Sequence, residues 1–161
     1  MEIKIYTDGA CVGNPGPGGW AAIIIGDDYK KEICGGEKLT TNNRMELTAA
    51  IKGLEYCDSQ EEKQLSLKEI KIFTDSTYVK DGITIWINSW EKNNWKTADK
   101  KNVKNVDLWK KLKDLVQSKQ VEWCWIKGHA GNEMNELADK LAKEATDKLI
   151  AVPTPEVTEI Q

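Results

Sequence analysis

The stretch "EIKIYTD" at residues 2–8 returns as "EIKIFTD" at residues 69–75, with one aromatic residue exchanged. In both copies apolar and polar residues alternate, which predicts a half-buried strand. Each copy ends in an aspartate. If the two strands are parallel neighbours, Asp8 and Asp75 converge at the carboxyl edge of the sheet, where open α/β sheets bind ligands.

Other interpretations of the repeat remain open at this point. The surrounding residues do not match, so the repeat need not be a duplication, and two buried strands under the same demands can converge on one sequence. An aspartate after a strand is often a turn former or helix cap, and Asp75 with Ser76 fits that role.

The order of predicted elements indicates the fold class. A helix between the two copies requires a crossover, which makes the fourth strand parallel to an earlier one, and we predict that this is the first. We therefore predict a mixed five-stranded α/β sheet, an antiparallel meander plus parallel strands, flanked by helices. The other predicted elements are a Gly/Pro turn at 13–19, strands at 20–26, 31–36 and 121–126, and helices at 43–57, 106–116 and 134–149.

Length and composition favour one ordinary domain. The chain has 161 residues, and we expect a single domain over residues 1–150 with a flexible tail at 151–161, which holds two prolines and no helical periodicity. No apolar run approaches the roughly 18 residues of a membrane span, and no signal-peptide pattern is present. The four cysteines lack metal or disulfide spacing, so we expect reduced, mostly buried thiols in a soluble cytoplasmic protein.

Charge is distributed unevenly. The chain carries a net charge of −3, but residues 86–111, here called the basic segment, carry +4 and the remainder −7. Tryptophans lie between its lysines, a combination that suits phosphates, sugars and bases. A solvated lysine surface with core tryptophans is the alternative. The single arginine, Arg44, lies outside the segment, which favours binding that does not read base sequence.

Further carboxylates on predicted helices extend the acidic pair. Glu46 lies in the first turn of a helix whose small residues allow a close approach to the sheet, and Asp139 flanks the apolar face of the last helix. Each alone is more often a solvated helix charge. Crowded carboxylates need a cation, and oxygen ligands without a His or Cys cluster favour Mg²⁺ or Mn²⁺.

Several blocks of the chain resemble the type 1 ribonuclease H family, in its bacterial ribonuclease HI form. They occur in the family's order and spacing from about residue 4 to 145, and they are "TDGACVGNPGPGGW", "TTNNRMELTAAI", "FTDSTYV", "ITIWINSW", "NWKTADKKNVKNVDLW" and "WIKGHAGNEMNELADKLA". The resemblance implies a ribonuclease H-like fold. It also implies a metal-dependent endoribonuclease that hydrolyses the RNA strand of RNA/DNA hybrids, largely independently of sequence, and leaves 5′-phosphate and 3′-hydroxyl ends.

The resemblance assigns the catalytic residues. It implies two Mg²⁺ ions per active site, with Mn²⁺ as a substitute, about 4 Å apart when substrate is bound. The carboxylates fall on Asp8, Glu46, Asp75 and Asp139, the residue matching Asp8 holding both ions. His129, the only histidine, is the family's active-site histidine, placed to relay protons or assist product release.

The resemblance also assigns substrate contacts, and nothing in the sequence suggests more than a monomer. Recognition of the 2′-hydroxyl falls on Gly9, Asn14 and Asn43, with Thr41 and Asn42 nearer the DNA strand. The basic segment matches the family's DNA-strand protrusion. The remaining predicted contacts are Trp86, Lys92, Lys96, Lys100, Lys101, Trp109 and Asn135.

The chain departs from the family pattern in two places. Glu91, Asn93 and Asn94 make the protrusion less basic than is common, and Thr77 stands where a longer amide is usual. Two other classes stay open: another nuclease on the same sheet, such as a resolvase, an integrase-like nuclease or the ribonuclease H part of a reverse transcriptase, and a module that binds hybrids or ions without cleavage.

Overall fold

The two copies of the repeat pair with each other. The computed structural model describes residues 2–59, 69–117, 119–127 and 132–151, in which β1 (Glu2–Cys11) and β4 (Glu69–Thr74) are parallel neighbours. The register joins Ile3 to Ile70 and Ile5 to Ile72. All four side chains are at most 1% exposed. The repeated sequence therefore reflects an equivalent position in the core, and the predicted parallel pairing is confirmed.

The remaining strands complete a mixed sheet. They are β2 (Gly16–Ile25), β3 (Lys30–Thr40) and β5 (Gln120–Trp125), and the strand order is β3-β2-β1-β4-β5. Pairing is antiparallel from β1 to β3 and parallel across β1, β4 and β5. The helices are α1 (Asn42–Ser59), α2 (Thr77–Asp81), α3 (Ile87–Lys92), α4 (Val106–Gln117) and α5 (Glu133–Ala151), with a π-helical turn at Gly82–Trp86. The predicted fold class is confirmed.

Helices cover both faces of the sheet. α1 packs on one face over Ile5 and Ile72, and α5 packs on the other face beside Tyr6. Tyr6 stacks on Phe73 with their ring centroids 4.6 Å apart. The small residues of α1 allow the expected close approach, since a Cβ at Gly53 would lie 2.8 Å from Ile5 Cγ2.

Two sequence predictions need correction. The turn predicted at 13–19 is shorter, because β2 begins at Gly16 and its glycines pair with β1 and admit α5. Of the cysteines only Cys57 is buried, while Cys34, on the edge strand β3, is exposed.

The flexible tail expected at 151–161 stays a prediction, because α5 ends at Ala151 and residues 152–161 lie outside the described residues. Within the described ranges, no helix has the length and apolar character to cross a membrane.

Candidate metal centre and nucleic-acid interface

Three carboxylates meet where β1 and β4 end. Asp8 lies on β1, Asp75 follows β4, and Glu46 lies in the first turns of α1. One carboxylate oxygen from each lies within 4.8 Å of the others. Asp8 is 4% exposed and Glu46 5% exposed. These three residues are called the acidic cluster below, and their predicted convergence is confirmed.

Local capping places two members of the cluster. Thr41 caps α1, because its backbone carbonyl accepts a bond from the N–H of Met45 and its hydroxyl accepts one from the N–H of Arg44. Ser76 caps α2, with its hydroxyl accepting a bond from the N–H of Val79 at 3.1 Å. The capping role that the sequence left open for Asp75 therefore belongs to its neighbour.

The acidic cluster is electrostatically unfavourable when it is empty of cations. Burial, then the charges of Asp75 and Asp139, raise the pKa of Asp8 to about 8. Burial, then the charges of Asp8 and Asp75, raise the pKa of Glu46 well above its usual range. The Glu46 Oε1 atom is buried without a hydrogen-bond partner in the described structure. A divalent cation would relieve both costs, so the residues fit a metal bound by oxygen ligands.

Asp139 lies on α5, which packs on the opposite face of the sheet from α1. Its carboxyl group is close enough to Asp8 to raise the pKa of the Asp8 carboxyl group, and its Oδ2 atom lies 3.1 Å from Nζ of Lys143, one turn further along α5. Asp139 is not one of the three carboxylates that lie within 4.8 Å of one another. The structure therefore brings Asp139 beside Asp8 and pairs Asp139 with Lys143. This lysine was not among the predicted site residues, although its i, i+4 spacing from Asp139 is a signal for such a pair.

The other predicted site residues divide into three groups. His129 lies outside the described residues. Near the cluster, Gly9 is buried, Thr41 is half-buried and Asn14, Asn42 and Asn43 are exposed; the Asn14 Oδ1 atom accepts a 2.7 Å bond from the N–H of Asn42. In the basic segment the predicted contacts that stay exposed are Trp86, Lys92, Lys96, Lys100 and Lys101.

Two predicted contacts are buried. Trp109 is 0% exposed, and its contact with substrate stays a prediction. Its indole packs on Trp90 and Tyr78 at 5.3 Å between ring centroids, and it lies where a Cβ at Gly82 would clash. Asn135 is 1% exposed and its Nδ2 atom has no hydrogen-bond partner within the described ranges. Its contact stays a prediction.

Fold and site together define a class of protein. A sheet of order β3-β2-β1-β4-β5 that gathers carboxylates at the ends of β1 and β4 is the arrangement of the ribonuclease H-like nucleases. The structure of LC9-RNase H1, a type 1 RNase H with the type 2 active-site motif, is 31% identical with a TM-score of 0.80, over 92% of this chain and 73% of that one. LC11-RNase H1 in complex with RNA/DNA hybrid is 27% identical with a TM-score of 0.69, over 92% and 99%.

Sequence relatives make the assignment specific. The RNase H family model matches residues 1–147. Ribonuclease H of Treponema denticola is 54% identical over 160 residues, 93% of this chain and all of that protein. Ribonuclease H of Methylobacillus flagellatus is 56% identical over 148 residues, 92% of this chain and 93% of that protein. The chain belongs to the RNase H family.

Proposed function

We propose that this protein is an endoribonuclease that hydrolyses the RNA strand of RNA/DNA hybrids with two divalent metal ions. The observation that carries the proposal is the acidic cluster, whose carboxylate oxygens lie within 4.8 Å of one another on the family's fold. LC11-RNase H1 has the same fold and was solved in complex with RNA/DNA hybrid, which supports the hybrid as the substrate of this protein.

The chemistry of the ligands favours Mg²⁺. Asp8, Glu46 and Asp75 would hold one ion, and Asp8 with Asp139 the other. Carboxylate oxygens are hard ligands, and Mn²⁺ is the expected substitute. When bound, the two ions supply Lewis acidity for in-line displacement at a phosphodiester, which leaves 5′-phosphate and 3′-hydroxyl ends. His129 has the assisting role that the family resemblance implies.

The protein's own residues orient the hybrid. Asn14, Asn42 and Asn43 are exposed, and the bond from the Asn42 N–H to Asn14 joins the start of α1 to the turn between β1 and β2. We assign them, with Thr41 and the Gly9 backbone, to the minor-groove edge of the hybrid, where 2′-hydroxyls distinguish RNA from DNA. The exposed lysines of the basic segment contact phosphates of the DNA strand. We further propose a monomeric, single-domain, cytoplasmic enzyme.

A cleavage assay tests this function. The substrates are an end-labelled RNA/DNA hybrid and, as comparisons, single-stranded RNA, duplex RNA and duplex DNA, each in Mg²⁺ and in EDTA. Wild type should cut only the RNA strand of the hybrid and only with metal. Asp75→Asn should abolish cutting, whereas Asp147→Asn, an exposed acid on α5, should not. Binding of the hybrid without cutting by wild type would establish a binding module instead.

A further inference from the structure

The single arginine of the chain joins α1 to the basic segment. Arg44 donates from Nη1 to Asp107 Oδ1 at 3.0 Å and from Nη2 to Asp107 Oδ2 at 2.8 Å. Nη1 also donates to Asn105 Oδ1 at 3.2 Å. Such a parallel pair of bonds needs the planar fork of a guanidinium, which lysine lacks. All other residues among the lysines and arginines of this chain are lysines. The one arginine therefore lies where the basic side chain must hold a carboxylate in a fixed orientation.

The contacts continue to α2. Asn105 donates from Nδ2 to the Tyr78 hydroxyl at 3.1 Å, and Trp109 donates from Nε1 to the same oxygen at 3.1 Å. Tyr78 lies three residues after Asp75, and Arg44 two residues before Glu46. The network thus connects the basic segment to α1, which carries Glu46, and to α2, which begins two residues after Asp75.

The basic segment depends on such contacts for its position. Between α3 and α4 the described regular structure is one isolated bridge, Lys96 with Asn102. Asn94, Trp95, Lys100 and Asn105 have φ between 59° and 65°, so the backbone is held in left-handed conformations by its surroundings. Arg44 binds where this irregular stretch enters α4.

We propose that Arg44 is a positioning residue for the hybrid. By binding Asn105 and Asp107 it sets the distance and angle between the lysines of the basic segment and the α1 end that carries Thr41, Asn42 and Asn43. A hybrid that lies over the acidic cluster then meets the lysines in register with its DNA phosphates. The proposal rests on the proposed contact between the basic segment and the DNA strand.

The test separates positioning from stability. Steady-state kinetics are measured on a long hybrid that reaches the basic segment and on a short hybrid that ends beside the acidic cluster. Arg44→Met should raise KM for the long hybrid about tenfold while kcat stays within about twofold, and should leave KM for the short hybrid unchanged. Arg44→Lys, which keeps the charge but loses the fork, should raise KM by an intermediate factor. In Arg44→Met/Asp107→Leu the rise should be no larger than in Arg44→Met.

The matched control is at the other end of the same two helices. The Lys119 Nζ atom lies 2.8 Å from Asp58 Oδ1, joining the end of α1 to the residues after α4. Lys119→Met removes this ion pair and the bond from Lys119 Nζ to the Leu115 carbonyl of α4, and KM should not change for either hybrid. An unchanged KM in Arg44→Met, an equal rise for both hybrids, or an equal rise in Lys119→Met would overturn the positioning role.

A separate variant tests the contact on which the proposal rests. Lys92→Ala/Lys101→Ala removes two exposed charges of the basic segment and should raise KM for the long hybrid. If it does not, the proposed DNA contact fails and the positioning role fails with it. If it does, while Arg44→Met has no effect, only the role of Arg44 is overturned.

Discussion

Gly9 lies against the backbone of Glu46. A Cβ atom on residue 9 would lie 2.5 Å from the Glu46 nitrogen and 2.6 Å from the carbonyl carbon of Met45. β1 and the first turn of α1 therefore approach each other without room for a side chain. This approach brings the Glu46 carboxylate to that of Asp8, on the strand residue that precedes Gly9.

Substitution at Gly9 should consequently damage stability and activity together. Gly9→Ala forces backbone against backbone, so we expect a loss of about 1–3 kcal/mol in the free energy of unfolding, together with a large loss of cleavage. Gly53→Ala is the matched control, because its Cβ would meet the side chain of Ile5 and alanine favours the helix by roughly 1 kcal/mol. Urea unfolding monitored by circular dichroism measures the free energy of unfolding, and cleavage assays measure activity. An equal loss of stability in Gly9→Ala and Gly53→Ala would contradict the close approach of β1 to α1.

The metal-free protein should lose stability as pH rises. The pKa of Asp8 is raised from 3.8 to about 8 in the folded state, so between these values the folded chain binds more protons than the unfolded chain. The stabilising contribution is full below the unfolded pKa and is lost as pH rises through about 8. Mg²⁺ should offset the loss, because it binds the folded state.

Asp8→Asn isolates this effect. Without the carboxylate the stability of the metal-free protein should depend less on pH, and at about pH 8 the variant should exceed wild type by at least about 1 kcal/mol, since one pKa unit corresponds to about 1.4 kcal/mol. Urea unfolding in EDTA near pH 5 and near pH 8 gives the comparison, with Asp147→Asn as control. A wild-type stability that rises over this range would show that the carboxylates of the cluster are not destabilised.

Removal of His129 should impair cleavage less than removal of a cluster aspartate. An assisting proton-transfer group contributes typically 10²- to 10⁴-fold, so His129→Ala should retain measurable activity. Asp75→Asn removes a ligand charge from the acidic cluster and should reduce cleavage below detection. Single-turnover rates on the labelled hybrid in Mg²⁺ measure both, and equal, complete loss in the two variants would contradict this ranking.

Binding of the hybrid should weaken steeply with salt. Each phosphate that a lysine neutralises contributes roughly one log unit of affinity per log unit of salt. Lys92→Ala/Lys101→Ala should therefore lower the slope by about 1–2. Fluorescence anisotropy of a labelled hybrid in Ca²⁺ or with Asp75→Asn, at several salt concentrations, measures the slope. A flat response in wild type would exclude the phosphate role of the basic segment.

Left-handed residues of the basic segment offer a stabilising substitution. Lys100 has φ of 65° and Asn94 has φ of 59°. Glycine adopts this region without steric cost, and asparagine tolerates it better than lysine does. Lys100→Gly should raise the free energy of unfolding by about 0.5–1 kcal/mol, and Asn94→Gly by less. Thermal unfolding of both variants measures the two gains in stability. A larger gain for Asn94→Gly than for Lys100→Gly would contradict the prediction.

Much of the fold could be predicted because its signals are local. Alternation in the two copies of the repeat predicted β1 and β4, and the helix between them predicted the parallel pairing that joins Ile5 to Ile72. The carboxyl-end aspartates followed from the same pattern. Spacing alone predicted Glu46 and Asp139 less firmly as members of the acidic site. Each lies on a helix, and packing against the sheet decides how that helix is rotated about its own axis.

The sequence by itself determined the strands, their pairing and the chemical identity of the acidic residues, because periodicity and residue type act over a few neighbouring positions. Only the tertiary structure decided that Trp109 is buried while Trp86 is exposed, that Ser76 and not Asp75 caps α2, and that Arg44 binds Asn105 and Asp107. These outcomes depend on contacts between residues far apart in the chain: the space that Gly82 leaves for an indole, and the approach of α1 to α4. Local sequence patterns do not predict which distant part of the chain a side chain will contact.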